Sequence, residues 1–199
     1  MYKPHIIHAT ETHLDKQISN AELIDPLLYD IYRKDRLFDP GHERGGVLNA
    51  IMKGVISSGE ITLETDCEST WNKIQIKGSK PLYTCTGCFY RKPNNDAVPI
   101  QRLDESLGRL THTTSLPNII LTGDFNLPDI EWDKEENRTK ASPNYSKEIN
   151  ETIINLVNEH NLQQCKNMPT RGNNIFDLVF TTNNNLIENI TVEDGISDH

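Results

Sequence analysis

A basic surface is what this sequence lacks: 20 lysines and arginines stand against 29 aspartates and glutamates, a formal net charge of −9. A protein that grips nucleic acid through a broad electrostatic face needs Lys and Arg opposite the phosphates, and that class is disfavoured. An enzyme whose acidity is gathered around a metal ion is not excluded, because the cation reverses the local sign. Long apolar runs are missing too. None approaches transmembrane length, and the opening MYKPHIIHATETHLD has no apolar stretch long enough for a signal peptide. The expectation is an intracellular protein, nuclear or cytoplasmic, neither secreted nor membrane-bound, with its four cysteines reduced.

Those cysteines do not make a metal site on paper. Cys85 and Cys88 form a C-x-x-C, but Cys67 and Cys165 stand alone and no second pair completes a four-ligand set. Leu82–Tyr90 reads as a strand, in which positions i and i+3 face opposite ways, so both thiols are expected as plain buried groups. The Asn-x-Ser/Thr triplets at Asn137, Asn144, Asn150 and Asn189 carry no glycosylation meaning without a secretory signal. Gly and Pro, 11 and 10, are scattered as turn markers, with no low-complexity run and no repeat, which leaves one domain over 1–199.

What is present is a series of short apolar segments. PHIIHATE reads as a strand that delivers Glu11 to a sheet end, and residues 15–26 as irregular. YDIYRK and GGVLNAIMK read as strands. TWNKIQIKG alternates with period two, and PLYTCTGCFYRKPN follows as its hairpin partner. Ile100, Leu103, Leu107 and Leu110 share one helical face from Pro99 to about Thr111. NIILTGDFN lies between Pro117 and Pro128 and is too short for a helix, so it reads as a buried strand. Residues 129–143 read as a surface loop. Ile149, Ile153, Leu156 and Val157 mark a second helix ending near His160, and IFDLVFTT and IENITVED close the chain as strands. Grouped strands with helices between some of them predict a layered α/β or α+β sandwich.

The strongest chemical signal is Gly123-Asp124-Phe125-Asn126 at the end of the buried strand. A strand that stops in Asp-x-Asn puts both polar side chains on one face, where they can orient a water and donate to a phosphoryl oxygen. Gly, Asp and Asn before Pro128 are also turn residues, and the four alone do not separate site from turn. Asp177 inside IFDLVF needs a partner such as a His or a cation if buried, or faces solvent on an edge strand. Glu11 reads as a hard metal ligand or as a simple strand-end charge, and a terminal Ser197-Asp198-His199 is in isolation an ordinary tail.

Taken in order, E-T-x-L, F-Y-R-x-P-N, G-D-F-N-L-P-D-I-x-W, P-T-R-G-N-N-I-F-D-L-V-F-T and S-D-H resemble the endonuclease domain of non-LTR (LINE-like) retrotransposons. That domain belongs to the endonuclease/exonuclease/phosphatase superfamily. The likeness runs along nearly the whole chain, including Tyr32-Arg33-Lys34-Asp35 and Gly45-Gly46-Val47-Leu48. It implies a four-layered α/β/β/α sandwich of the DNase I-like type and a metal-dependent phosphodiesterase with DNA as substrate. Mg²⁺ is the implied ion and Mn²⁺ the alternative. Glu11 and Asp198 fall where such enzymes hold the cation. Tyr90 falls on the phosphate-contacting tyrosine, with Arg91 beside it expected at the substrate. Asp124 and Asn126 fall on the pair that positions the attacking water, Asp177 on the acid that pairs with the histidine, and His199 on the group that contacts the scissile phosphate.

Departures are equally readable. A first strand ending in a catalytic Asn, in an N-x-R-S-L-like segment, has no counterpart, and His13 stands where Trp is usual. The family continues past S-D-H into one more core strand, and no reverse transcriptase segment lies within the chain. The expectation is a sandwich without its first and last core strands. Two functions remain open: an active DNA endonuclease, or an inactive remnant that serves at most as a binding module.

Overall fold

The computed structural model describes residues 3–36, 45–76, 82–112, 117–132, 138–140 and 144–193. Their elements run β1 (Ile6–Thr10), α1 (Asn20–Leu23), β2 (Tyr29–Lys34), β3 (Val47–Met52), β4 (Ile56–Gly59), β5 (Glu68–Ile76) and β6 (Leu82–Tyr90). Then follow α2 (Val98–Gly108), β7 (Asn118–Asp124), β8 (Ile130–Glu131), β9 (Arg138–Thr139), α3 (Lys147–Glu159), β10 (Gln163–Gln164) and β11 (Asp177–Thr181). Two sheets carry the fold, one of three strands in the order β1-β3-β2 and one of six in the order β10-β11-β7-β6-β5-β4. Among the described residues no helix is long and apolar enough to cross a membrane.

The sheets follow from the pattern that predicted them. β5 and β6 pair antiparallel along their whole length, from Glu68 opposite Tyr90 to Ile76 opposite Leu82. β7 then joins β6 in parallel, and α2 makes the crossover that a parallel pair requires. Pro99 in the first turn suits the start of α2. α3 begins on Ser146, whose hydroxyl accepts the Ile149 N–H at 3.4 Å, with Glu148 in the first turn. Ile100, Leu103 and Leu107 of α2 and Ile149, Ile153, Leu156 and Val157 of α3 are buried against Trp71, Phe89, Leu121, Leu178 and Phe180 of the large sheet. This is the apolar core.

The opposite face of the large sheet meets the small sheet through polar side chains. Asn49 donates to the Thr70 carbonyl at 3.2 Å and to Asn72 Oδ1 at 2.8 Å. His8 joins Thr122 at 2.5 Å to Thr86 at 3.1 Å across the gap. Cys85 sits in the helix-side core and Cys88 packs with Val47 and Tyr90, so the C-x-x-C does split between faces. Both are free buried thiols, pushed up by burial to about 11 and about 12. The outer face of the small sheet is covered by Leu14, Leu23 and Ile24. Among the described residues the expected fourth, helical layer is thus reduced to the single turn α1 and its flanking loop.

Two expectations are corrected. IENITVED forms no strand over its described residues 187–193, and the outer edge of β11 at Phe180 and Thr181 is taken by β10 instead. β-propensity without a pairing partner does not make a strand. The loop after Asp129 is not wholly irregular, since β8 and β9 pair there, Ile130 opposite Thr139.

Burial between the sheets holds His8 down at about 4, against an ordinary value of 6.5. A depressed histidine stabilises the fold above its unfolded pKa, and that contribution is lost as pH falls from 6.5 towards 4. In EDTA, His8→Gln is expected to remove an acid-side stability loss of up to about 3 kcal/mol in this interval. Urea midpoints against pH test it. Parallel curves for the two proteins would defeat the assignment.

Candidate active site

Four of the expected site residues meet at one end of the sandwich because four strand ends meet there. The parallel pairing sets Tyr90, last in β6, opposite Asp124, last in β7. Antiparallel β11 begins with Asp177 opposite Asp124. β1 ends one residue before Glu11, whose carboxylate accepts the Tyr90 hydroxyl proton. Glu11 itself has a left-handed backbone, φ +50. It is held there by the next two residues, Thr12 and His13, whose N–H groups donate to the Gly46 and Gly45 carbonyls.

Glycine at 123 makes the approach of β6 and β7 possible. A Cβ there would lie 1.8 Å from the Phe89 carbonyl oxygen, and φ is +150. Beyond it the strand does not continue through Asn126, as the sequence predicted, but stops at Asp124. Phe125 turns wholly into the core between Phe89, 4.8 Å away, and Phe180, 5.3 Å away. Asn126 takes a left-handed backbone, φ +51. Its N–H donates to Asp124 Oδ1 at 3.0 Å, and its side-chain Nδ2 donates to the Arg91 carbonyl at 2.8 Å. The apolar residue between the two polar ones is therefore the anchor of the motif. Leu127, Ile130 and Trp132 continue the same packing.

Burial comes first, and then the charges of Asp177 and Glu11, in pushing Asp124 up to about 7 against the Asn126 N–H and Arg171, which oppose the shift. Tyr90 is likewise pushed up, by burial and by its bond to Glu11, and so stays a phenol with a proton to donate. Arg36 lies over its ring at 5.6 Å. A carboxyl that titrates near neutrality beside a phenol donor and an amide suits proton transfer from water. Uncompensated carboxylates of this kind also fit a hard divalent cation, which accepts one or two carboxylates and completes its shell with water or phosphate. Among the described residues no group of three or more His, Cys, Asp or Glu is close enough to hold a metal alone. Asp198, the second expected ligand, lies with His199 outside the described residues.

A family profile described as endonuclease-reverse transcriptase matches residues 84–199, more than half of the chain. The chain belongs to this family. Among solved structures, the endonuclease domain of TRAS1, a telomere-specific non-LTR retrotransposon, aligns at 15% identity with a TM-score of 0.52. The alignment covers 78% of this chain and 67% of that one. The AP endonuclease LMAP from Leishmania major aligns at 13% identity and a TM-score of 0.60, covering 90% and 70%. Both likenesses establish the fold as an α/β sandwich of the DNase I-like type. No curated protein matches the chain.

Within the endonuclease-reverse transcriptase match lie Tyr90, Asp124, Asn126, Asp177, Asp198 and His199, whereas Glu11 precedes it. Arg91, expected at the substrate, is wholly buried and spends its guanidinium on the carbonyls of Phe125 at 2.9 Å, Asn126 at 2.9 Å and Asn94 at 2.7 Å. It stands behind the site. Asp177 is exposed, the solvent-facing alternative, at the end of β11 that β10 does not reach.

Sequence reading missed the supports. Thr170 accepts the N–H groups of Phe176 at 3.0 Å and Asp177 at 3.3 Å, which fixes the entry to β11. Asp129 is buried and accepts Asn144 Nδ2 at 2.5 Å and the Tyr145 N–H at 2.9 Å. Its only trace in the sequence is a carboxylate set among the apolar residues of L-P-D-I-E-W. Arg171, stacked at 5.1 Å on Phe176, is exposed and acts on Asp124.

A carboxyl whose folded pKa is raised stabilises the fold below its unfolded value, here 3.8, and that contribution is lost as pH rises through about 7. Asp124→Asn is therefore expected to stabilise the cation-free family member increasingly across that range, by up to about 4 kcal/mol on the alkaline side. Denaturant titrations in EDTA at acid and alkaline pH measure it. A pH-independent difference would rule it out.

Proposed function

We propose that this chain is a divalent-cation-dependent phosphodiesterase of retrotransposon origin that nicks DNA by in-line attack of water. What supports the reading above all is Asp124: a buried carboxyl pushed to about 7 whose own Oδ1 holds the Asn126 backbone, one strand away from the Tyr90 phenol. In the proposed step Asp124 takes a proton from water as the water oxygen bonds to phosphorus and the bond to the 3′ oxygen breaks. The Tyr90 hydroxyl, turned from Glu11 to the substrate, and the free part of the Asn126 amide donate to charge that grows on the phosphoryl oxygens.

His199 contacts the scissile phosphate in this reading, and Asp177 orients it. Arg171 replaces Arg91 as the substrate-facing cation, because it is exposed and near Asp124 while Arg91 is not. A divalent cation held through Glu11 and Asp198 would supply Lewis-acid polarisation of the phosphoryl oxygen and stabilise the leaving oxygen. Mg²⁺ is proposed over Mn²⁺ for its preference for hard oxygen ligands and for waters retained in the shell. The net charge of −9 leaves affinity for DNA to a few local cations and this ion.

The test is nicking of supercoiled plasmid by the purified chain, with Mg²⁺ or with EDTA. Cation-dependent nicking is expected, reduced by about 10²-fold or more in Asp124→Ala and His199→Ala while circular dichroism is unchanged. Tyr90→Phe is expected to lose about 10-fold or more. A folded chain that leaves the plasmid closed would sink the enzyme reading and leave a DNA-binding module at most.

A further inference from the structure

Arg91 and Asn126 are bound to each other twice. Arg91 Nη2 donates to the Asn126 carbonyl at 2.9 Å, and Asn126 Nδ2 donates to the Arg91 carbonyl at 2.8 Å. The Arg91 N–H also reaches the Asp124 carbonyl at 3.0 Å. A carbonyl only accepts, so the amide of Asn126 cannot flip without losing a buried bond. Its orientation towards the site is set from behind, by the residue next to Tyr90.

The guanidinium is in turn held. Tyr145 lies under it at 5.1 Å, and the Tyr145 backbone is fastened by Asp129 at 2.9 Å. Three carbonyls meet one planar group. Lysine, a single ammonium on a flexible stem, cannot reproduce that fork. Each carbonyl stripped of its partner in this buried turn is left with an unmet desolvation cost. The left-handed backbone of Asn126 is itself a less favoured conformation. Without the arginine, then, the turn has reason to relax out of φ +51.

We propose that Arg91 is a positioning residue: it locks the Asn126 amide in its working orientation and makes no contact with substrate. The proposal rests on the nuclease reading for its kinetic consequence only. The structural half is open to NMR on the free protein, so the two can fail separately.

The experiment compares Arg91→Lys, Arg91→Ala and Tyr145→Leu with wild type on a short duplex in Mg²⁺, over a series of salt concentrations. Arg91→Lys is expected to lower kcat by about 10-fold or more while KM stays within about twofold. The slope of log KM against log salt should be unchanged. Tyr145→Leu should give a milder form of the same pattern, which keeps the test alive if an Arg91 variant folds poorly. Free guanidinium at low millimolar concentration should restore part of the kcat of Arg91→Ala. In parallel, hydrogen exchange of the Asn126 side-chain amide, read by NMR, should be slow in wild type and fast in Arg91→Lys. A raised KM with a salt slope reduced by about one would make Arg91 a phosphate contact and overturn the proposal. So would an unchanged Asn126 amide in Arg91→Lys, or a kcat per folded molecule equal to wild type. If the wild type does not nick, the nuclease reading falls and the exchange measurement alone decides the positioning.

Discussion

The parallel contact of β6 with β7 is the constraint on which the site depends. Phe89 meets Gly123 so closely that no side chain fits at 123, and one residue further on this pairing sets Tyr90 beside Asp124. Because both strands run the same way, their chemistry-bearing ends emerge together. Antiparallel β11 then adds Asp177 from its opposite terminus. β1, though in the other sheet, reaches the same corner through Glu11. A residue with a Cβ at 123 would force the two strands apart. That would dismantle the arrangement without touching any group that has a chemical role.

The two faces of the large sheet divide the work. Towards α2 and α3 it is an ordinary apolar core, in which Trp71, Phe89, Phe125 and Phe180 fix the strands by packing. Towards the small sheet Thr, Asn and His bond across the gap beside the apolar contact of Val47 with Cys88 and Tyr90. Packing of the first kind tolerates exchange of one apolar residue for another. Bonding of the second kind specifies how the small sheet sits, and hence where the strand that carries Glu11 ends. The placement that brings Glu11 to Tyr90 thus rests on these polar bonds together with the packing of Val47 on Cys88 and Tyr90.

How much of this could be read from the sequence depended on whether the signal was local. β2, β3, β5, β6, β7 and both long helices follow from periodicity and turn residues, within about three residues. The hairpin of β5 and β6 was legible because the two alternating runs are adjacent. IENITVED misled because alternation shows that a segment suits a sheet and not that a free edge awaits it. β4 and β10 were invisible, being short pieces that exist only because a neighbour supplies the ladder. At the site, Asp124, Asn126 and Glu11 were singled out at strand ends and Tyr90 from a family likeness, and the structure brings them to one corner. The residues that hold them were not named. Asp129 and Thr170 act on backbone N–H groups far along the chain, and no spacing rule reaches them.

Arg91 shows why a motif is a poor guide to what a side chain does. In F-Y-R-K-P-N an arginine next to a tyrosine expected at the phosphate looks like a substrate contact, since guanidinium matches phosphate well. Successive residues in a strand point to opposite faces, so if Tyr90 faces the site then Arg91 leaves from the other side. There it meets the turn that follows β7, where Phe125 has entered the core and left carbonyls with no strand to pair with. A buried cation is costly unless its donors are met, and these carbonyls are costly unless a donor reaches them. The two deficits cancel at this place. The open carbonyls of Phe125 and Asn126 give an arginine a place there whether or not a nucleic acid ever arrives.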